Sequence, residues 1–259
     1  PVRVATANIQ HGHPLVGGPD SADQLVRAVG EVEADVLALQ EVDVGQARSG
    51  RVDQTAVVAD ALGLRWSRFA AEFAGSVRGI RRRPVPSSVP GRPGYGVALL
   101  SRWPVRSWHI RPLTPGPVRV KRRTGRGWQV AGRFVHVDPA RVLLAAVVAG
   151  PAGPVSIGCT HLSVDPPTAR RQLAESAWAL RTLPGPHLLL GDLNLEPDDV
   201  ARVTGLTSLA VAHTFTSWRP RRQLDHVLAG PGLRATGSAR AQRLAVSDHL
   251  VLSVDVAAV

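Results

Sequence analysis

Cysteine, methionine and lysine are nearly missing from this chain of 259 residues, and each scarcity narrows what it can be. Cys159 stands alone, so an intrachain disulfide is excluded and a reducing compartment fits. There is no methionine, not even at the start, which points to a processed or trimmed chain and leaves room for a removed leader. No apolar run approaches the ~18–20 residues that a membrane span needs. No signal peptide is visible, because the first strand pattern begins at Val2. A cytoplasmic monomer with no protein partner is the expectation.

Lysine is scarce but positive charge is not. Lys121 is the one lysine among 31 Lys+Arg, which face 20 Asp+Glu for a net charge of +11. Arginine preference can reflect genome composition, so the distribution says more than the total. Residues 78–92 contain Arg78, Arg81, Arg82, Arg83 and Arg92 and no acid. Residues 119–133 contain Arg119, Lys121, Arg122, Arg123, Arg126 and Arg133 and no acid. These eleven residues equal the whole excess, so the protein reads as a neutral body with two basic segments. Their natural partner is a polyanion, with nucleic acid first and an anionic membrane surface second. With 44% hydrophobic and 20% charged residues, the chain can bury a substantial core and is not of the disordered class.

Hydrophobic periodicity predicts strands over 2–7, 36–40, 66–74, 97–101, 105–111, 187–190, 224–228 and 251–256. Residues 142–148 and 155–161 pair as strands across a turn at 150–153, and 118–135 form a basic hairpin turning at 124–127. Helices are expected over 21–34, capped by Ser21, over 53–62 and over 168–183, with 78–94 a loop. No repeat, linker or boundary interrupts this order. A mixed α/β sandwich in one domain spanning 1–259 fits best.

Polar residues recur at the ends of these apolar strands: Asn8, Glu41, His161, Asp192 and Asn194, Asp225, then Asp248 and His249. Ionisable groups beside buried strands are costly unless they are paired or bind a cation. Each residue taken alone reads as a turn, a helix cap or a satisfied histidine. The ordered set does not. TANIQHG, LALQEVD, GVALLSRWPV, CTHL, LLLGDLN, RQLDHVL and SDH follow one another from residue 6 to residue 249. That series resembles the endonuclease/exonuclease/phosphatase superfamily, whose members include deoxyribonucleases, abasic-site endonucleases and bacterial sphingomyelinases.

The resemblance implies a single-domain, two-sheet sandwich of mixed strands in four α/β/β/α layers, with the site at one edge. It implies Glu41 as the main metal ligand, with Asn8 and Asp248 as further metal-side residues. It implies that Asp192 and Asn194 hold the attacking water and a phosphate oxygen, that His249 touches the phosphate, and that Asp225 bonds its ring. His161 fills a position that is His in some branches and Tyr in others. Gln10 departs from the acid found there in several nucleases, which speaks against a second metal.

Chemistry agrees with these roles. Phosphodiester cleavage must stabilise charge on the transferring phosphoryl group. Oxygen ligands from carboxylates and amides suit Mg²⁺ or Mn²⁺ better than Zn²⁺. Asp192 and His249 stand as rival candidates for the base. Arg48, Arg81, Arg82, Arg83, Arg122 and Arg123 are the expected substrate contacts, with Trp128 nearby for stacking. A metal-dependent nuclease is the leading expectation, ahead of a phospholipid or sphingomyelin phosphodiesterase and a phosphatase on small or inositol phosphates.

Overall fold

The computed structural model describes residues 1–15, 22–77, 92–123, 132–136 and 138–259. Its central strands are continuous apolar runs because they are buried on both faces. In β1 (Val2–Asn8), Val4 turns inward to the space between two sheets and Ala5 turns outward to a helix layer. The same alternation divides Val36 and Ala38 from Leu37 and Leu39 in β2 (Val36–Val44). It also divides Leu144 and Ala146 from Leu143 and Ala145 in β8 (Val142–Gly150). A strand with a core on each side has no polar face to show, so period-2 patterning vanishes from its sequence.

The first sheet contains β1, β2, β3 (Trp66–Ala74), β4 (Gly94–Ser101), β13 (Leu233–Ala235), β14 (Arg240–Arg243) and β15 (Leu250–Ala258), in the order β13-β15-β1-β2-β4-β3 with β14 also on β15. The second contains β5 (Val105–Pro112), β8, β9 (Gly153–His161), β10 (His187–Asp192), β11 (Thr207–Ser208) and β12 (Asp225–Ala229), in the order β11-β12-β10-β9-β8-β5. Helices α1 (Ala22–Val29) and α2 (Gln54–Leu62) cover the outside of the first sheet. Helices α3 (Pro166–Arg181) and α4 (Pro197–Thr204) cover the second. This is the expected two-sheet sandwich of mixed strands.

Each sheet holds one parallel pair joined through a helix: β1 with β2 through α1, and β9 with β10 through α3. Register then sets Asn8 opposite Gln40 in one sheet and His161 opposite Asp192 in the other. Asp192 also lies opposite Asp225 on antiparallel β12. Parallel strands end at the same edge, so these polar termini meet there, while β12 and β15 begin at it. Gly191 makes the approach possible: it has φ +154°, and a Cβ there would sit 2.0 Å from the carbonyl oxygen of Thr160.

Several boundaries differ from the sequence expectation. The first helix stops at Val29 rather than 34, because Gly30 breaks it. The second strand runs on to Val44, with its register shifting between Leu39 and Val42. Glu41 sits in that irregularity at φ 56°. Helix α4 and strands β11, β13 and β14 were not expected; all are eight residues or shorter. The basic hairpin forms, with β6 (Arg119–Arg123) antiparallel to β7 (Gly132–His136). Its turn residues, and Arg81, Arg82, Arg83 and Ser21, lie outside the described residues. No helix among the described residues is long and apolar enough to cross a membrane.

Candidate active site

Asn8 is the hub of the edge. Its Nδ2 donates to Glu41 Oε1 at 3.1 Å and to Asp192 Oδ2 at 3.0 Å, tying one sheet to the other. Its Oδ1 accepts from the backbone N–H of Gln10 at 3.0 Å. Asp192 Oδ1 accepts from the N–H of Asn194, a residue held at φ 50°, and Asn194 Nδ2 donates to the Leu162 carbonyl. Two imidazoles close on the other Asp192 oxygen, His161 Nε2 at 3.5 Å and His249 Nε2 at 3.6 Å. Asp225 Oδ2 lies 2.8 Å from His249 Nδ1. Ser247 locks the last loop in place: its hydroxyl donates to the Asn8 carbonyl at 2.6 Å and accepts from the His249 N–H at 3.0 Å. The N–H of Asp248 donates to Gln10 Oε1.

All eight strand-end residues therefore gather in one cluster. Gln10, which stands where an acid was noted as missing, serves as an acceptor for the Asp248 backbone. Arg48 is engaged on one edge: its Nε and Nη2 both donate to the buried Asp43 at 2.8 Å, and its guanidinium lies over the Tyr95 ring at 5.5 Å. For Arg122 and Arg123 the structure describes the strand alone.

Sequence reading missed the layer beneath His161. Glu72 is fully buried, and Arg141 Nη1 reaches both its oxygens at 3.2 and 3.3 Å. Glu72 Oε1 lies 3.9 Å from His161 Nδ1, a nitrogen with no hydrogen-bond partner. The available signal was a lone acid inside the apolar run FAAEFA, where burial demands a partner.

Burial and charge set the protonation states. Burial first, then Arg141 and His249, holds His161 well below the usual imidazole value, so it is neutral. Burial opposes charge on His249 too, but Asp225 and Asp192 outweigh it and push the imidazole up to about 10. Burial pushes Glu72 up to about 7 against the pull of Arg141. Asp192 is raised chiefly by burial, with His249 opposing.

Glu72 and His249 share a sign. Each folded value lies above the unfolded one, so each contributes stability that is complete below the unfolded value and lost as pH rises through the folded value. That window runs from 4.5 to about 7 for Glu72 and from 6.5 to about 10 for His249. Below about pH 6.5 the lowered histidines His161, His187 and His226 act in the opposite sense, so the thermal midpoint is expected to fall as pH climbs through the upper window, from about 7 to 10. In Asp225→Asn that fall should shrink. A wild-type midpoint that rises between about pH 7 and 10 would contradict the His249 assignment.

The donor set fits a hard divalent cation. Glu41, Asn8 and Asp248 offer oxygen atoms, and Glu41 is held at the positive φ of the strand irregularity with its carboxylate toward Asn8. Asp192, Asp225 and His249 also cluster, with ligand atoms within 4.8 Å of one another. In that trio the facing Asp225 and His249 atoms already bind each other, so the Glu41 side, where the oxygen donors gather, is the better seat. An apolar cavity of about 430 Å³ opens at the opposite end of the sandwich, between Val2, Val36, Val148 and Leu188. It takes no part in this chemistry.

A buried acid–amide–imidazole cluster on the open edge of such a sandwich is suited to hydrolysing phosphate esters. The sequence profile of the Endonuclease/Exonuclease/phosphatase family matches residues 5–249, and the chain belongs to that family of phosphoesterases. Family members are generally dependent on a divalent metal. No curated protein matches the chain in sequence. Solved structures share its fold. An endonuclease/exonuclease/phosphatase from Beutenbergia cavernae is 21% identical with a TM-score of 0.69, over 99% of this chain and 71% of that one. Sphingomyelinase C from Streptomyces griseocarneus is 14% identical at 0.63, over 98% of each chain. Truncated TDP2 from Caenorhabditis elegans is 16% identical at 0.58, over 100% of this chain and 97% of that one.

Proposed function

We propose that this protein is a Mg²⁺- or Mn²⁺-dependent nuclease that hydrolyses phosphodiester bonds of DNA or RNA. The observation that carries the substrate class is where the basic segments are rooted. Residues 78–92 join β3, which bears Glu72, to the start of β4, where Tyr95 pairs with Asp43 two residues from Glu41. Residues 119–133 lie between β5 and β8, at whose start Arg141 binds Glu72. The whole positive excess thus springs from the edge that carries the site.

Glu41, Asn8 and Asp248 would hold the metal, which supplies charge neutralisation at the phosphoryl group. Asp192, raised by burial and facing both sheets, takes the proton of the attacking water. His249 is the wrong partner for that proton because it already carries one; it hydrogen-bonds the phosphoryl oxygens while Asp225 holds its ring. The bond from water oxygen to phosphorus forms as the ester P–O bond breaks, and the leaving oxygen takes its proton from solvent. Asn194 orients the phosphate.

A metal-supplemented panel tests the reading. It comprises plasmid DNA, single-stranded oligonucleotides, RNA, sphingomyelin and a bis-aryl phosphodiester. Cleavage of nucleic acid is expected. Changing Arg81, Arg82, Arg83, Arg122 and Arg123 to Gln should weaken nucleic-acid binding and flatten its salt dependence, which carries about −0.9 per duplex phosphate contact and about −0.7 on single strands. Turnover of sphingomyelin with nucleic acid untouched would move the protein to the lipid phosphodiesterases. Turnover of the small phosphodiester alone would move it to the small-phosphate enzymes.

A further inference from the structure

The loop from Thr214 to Arg222 is fastened to the site at both ends, yet its tip is bare. The Phe215 ring packs on His249 with centroids 4.9 Å apart. The N–H of Ser217 donates to the Asp248 carbonyl, its hydroxyl donates to the Ser247 carbonyl, and Leu250 N–H donates to the Thr214 carbonyl. At the far end Arg222 Nε donates to Glu196 Oε1 at 2.6 Å, two residues beyond Asn194. The loop therefore bridges the two strand-end loops that carry His249 and Asp192. At its tip the indole of Trp218 is 60% exposed, and Arg219, Pro220 and Arg221 are exposed with it.

Among the described residues, no carboxylate pairs with Arg219 or Arg221, and no ring or cation packs on Trp218. The exposed indole of α3 offers a contrast, since Trp178 lies under the Arg111 guanidinium at 4.9 Å. A largely exposed indole beside guanidiniums with no carboxylate partner among the described residues is the composition that grips a single nucleic-acid strand, base on aromatic and phosphate on arginine. Trp218 follows Ser217 directly, about 3.8 Å along the chain from the residue bonded to Asp248. A nucleotide on the indole would be a near neighbour of the phosphate being cleaved.

We propose that Trp218, Arg219 and Arg221 form a strand-binding subsite, in which Trp218 stacks a base flanking the scissile phosphate and the arginines hold adjoining phosphates. This rests on the nuclease reading and names the part of the substrate that the site edge grips. It is independent of the two basic segments.

The test compares kcat and KM on a single-stranded oligonucleotide and on a bis-aryl phosphodiester too short to reach the loop. Trp218→Ala is expected to raise KM for the oligonucleotide roughly 5- to 100-fold with kcat held, and Trp218→Phe to recover most of it. Arg219→Gln with Arg221→Gln should flatten the salt dependence of oligonucleotide binding by about 0.7 for each phosphate no longer neutralised. Trp178→Ala is the control, with KM unmoved. An unchanged oligonucleotide KM in Trp218→Ala overturns the subsite while leaving the nuclease reading intact. An equal loss on the aryl phosphodiester overturns it in favour of a prop for His249. If wild-type protein cleaves no nucleic acid, the nuclease reading fails and the subsite falls with it. Trp218-dependent binding to phosphatidylserine vesicles, without oligonucleotide binding, would assign the loop to a lipid surface instead.

Discussion

Replacing His249 with Asn or Asp192 with Asn is expected to lower kcat by roughly 10²–10⁴-fold, with KM little changed. Both substitutions conserve shape. An Asn at 249 can still donate to Asp225 from the position of Nδ1, so the buried carboxylate keeps a partner. An Asn at 192 can still accept from the Asn194 N–H. What disappears is the charge facing phosphorus in one case and the proton acceptor in the other. The two groups lie 3.6 Å apart, so they act on one transition state. The double variant should then cost far less than the product of the single losses, because groups that work as a unit are not additive. Single-turnover rates with saturating substrate check this. A kcat within a few-fold of wild type in either variant would remove that residue from the chemistry.

Chelation should abolish turnover altogether, and Mg²⁺ or Mn²⁺ should restore it. Glu41→Ala should be as inactive as the chelated protein and should not be rescued by added metal. The reason lies in the backbone as well as the carboxylate. Glu41 occupies a positive φ inside β2, a conformation that costs a non-glycine residue of order 1–3 kcal/mol and persists where the surroundings enforce it. A second readout is independent of activity. A ligand bound only by the folded state stabilises it, by about 2.7 kcal/mol at a hundred times Kd. Added Mg²⁺ or Mn²⁺ should therefore raise the unfolding midpoint of wild type and leave that of Glu41→Ala unmoved. An equal shift in both would place the cation elsewhere, with Asp192 and Asp225 as the next candidates.

How legible each feature was in the sequence follows from how local it is. The long strands announced themselves as apolar runs because their residues feed two cores at once. β14 (Arg240–Arg243) has no such run, being a short edge strand of mostly polar residues, and was passed over. The first helix was overdrawn because Val32 and Ala34 continue an apolar pattern past Gly30; both are buried, but in the connection to β2. Arg48 reads in the sequence as a cation free to meet substrate; its bond to Asp43, only five residues away, depends on how the chain turns after β2. Trp218 and its arginines were overlooked because nothing in a sequence separates an indole beneath a loop from one at its tip.

By itself, the sequence determined the sandwich, the family and the roster of strand-end residues, since burial on two faces and polar termini are written into runs of a few residues. Only the tertiary structure decided which of those groups bear on one another. Asn8 spans to Asp192 across 184 positions, Asp225 reaches His249, and Glu72 with Arg141 lies beneath His161. Such contacts join strands from two sheets. They follow from strand register, including the close approach of β10 to β9 at Gly191, and from the stacking of the two sheets, and their strength comes from the low-dielectric interior that the assembled core creates.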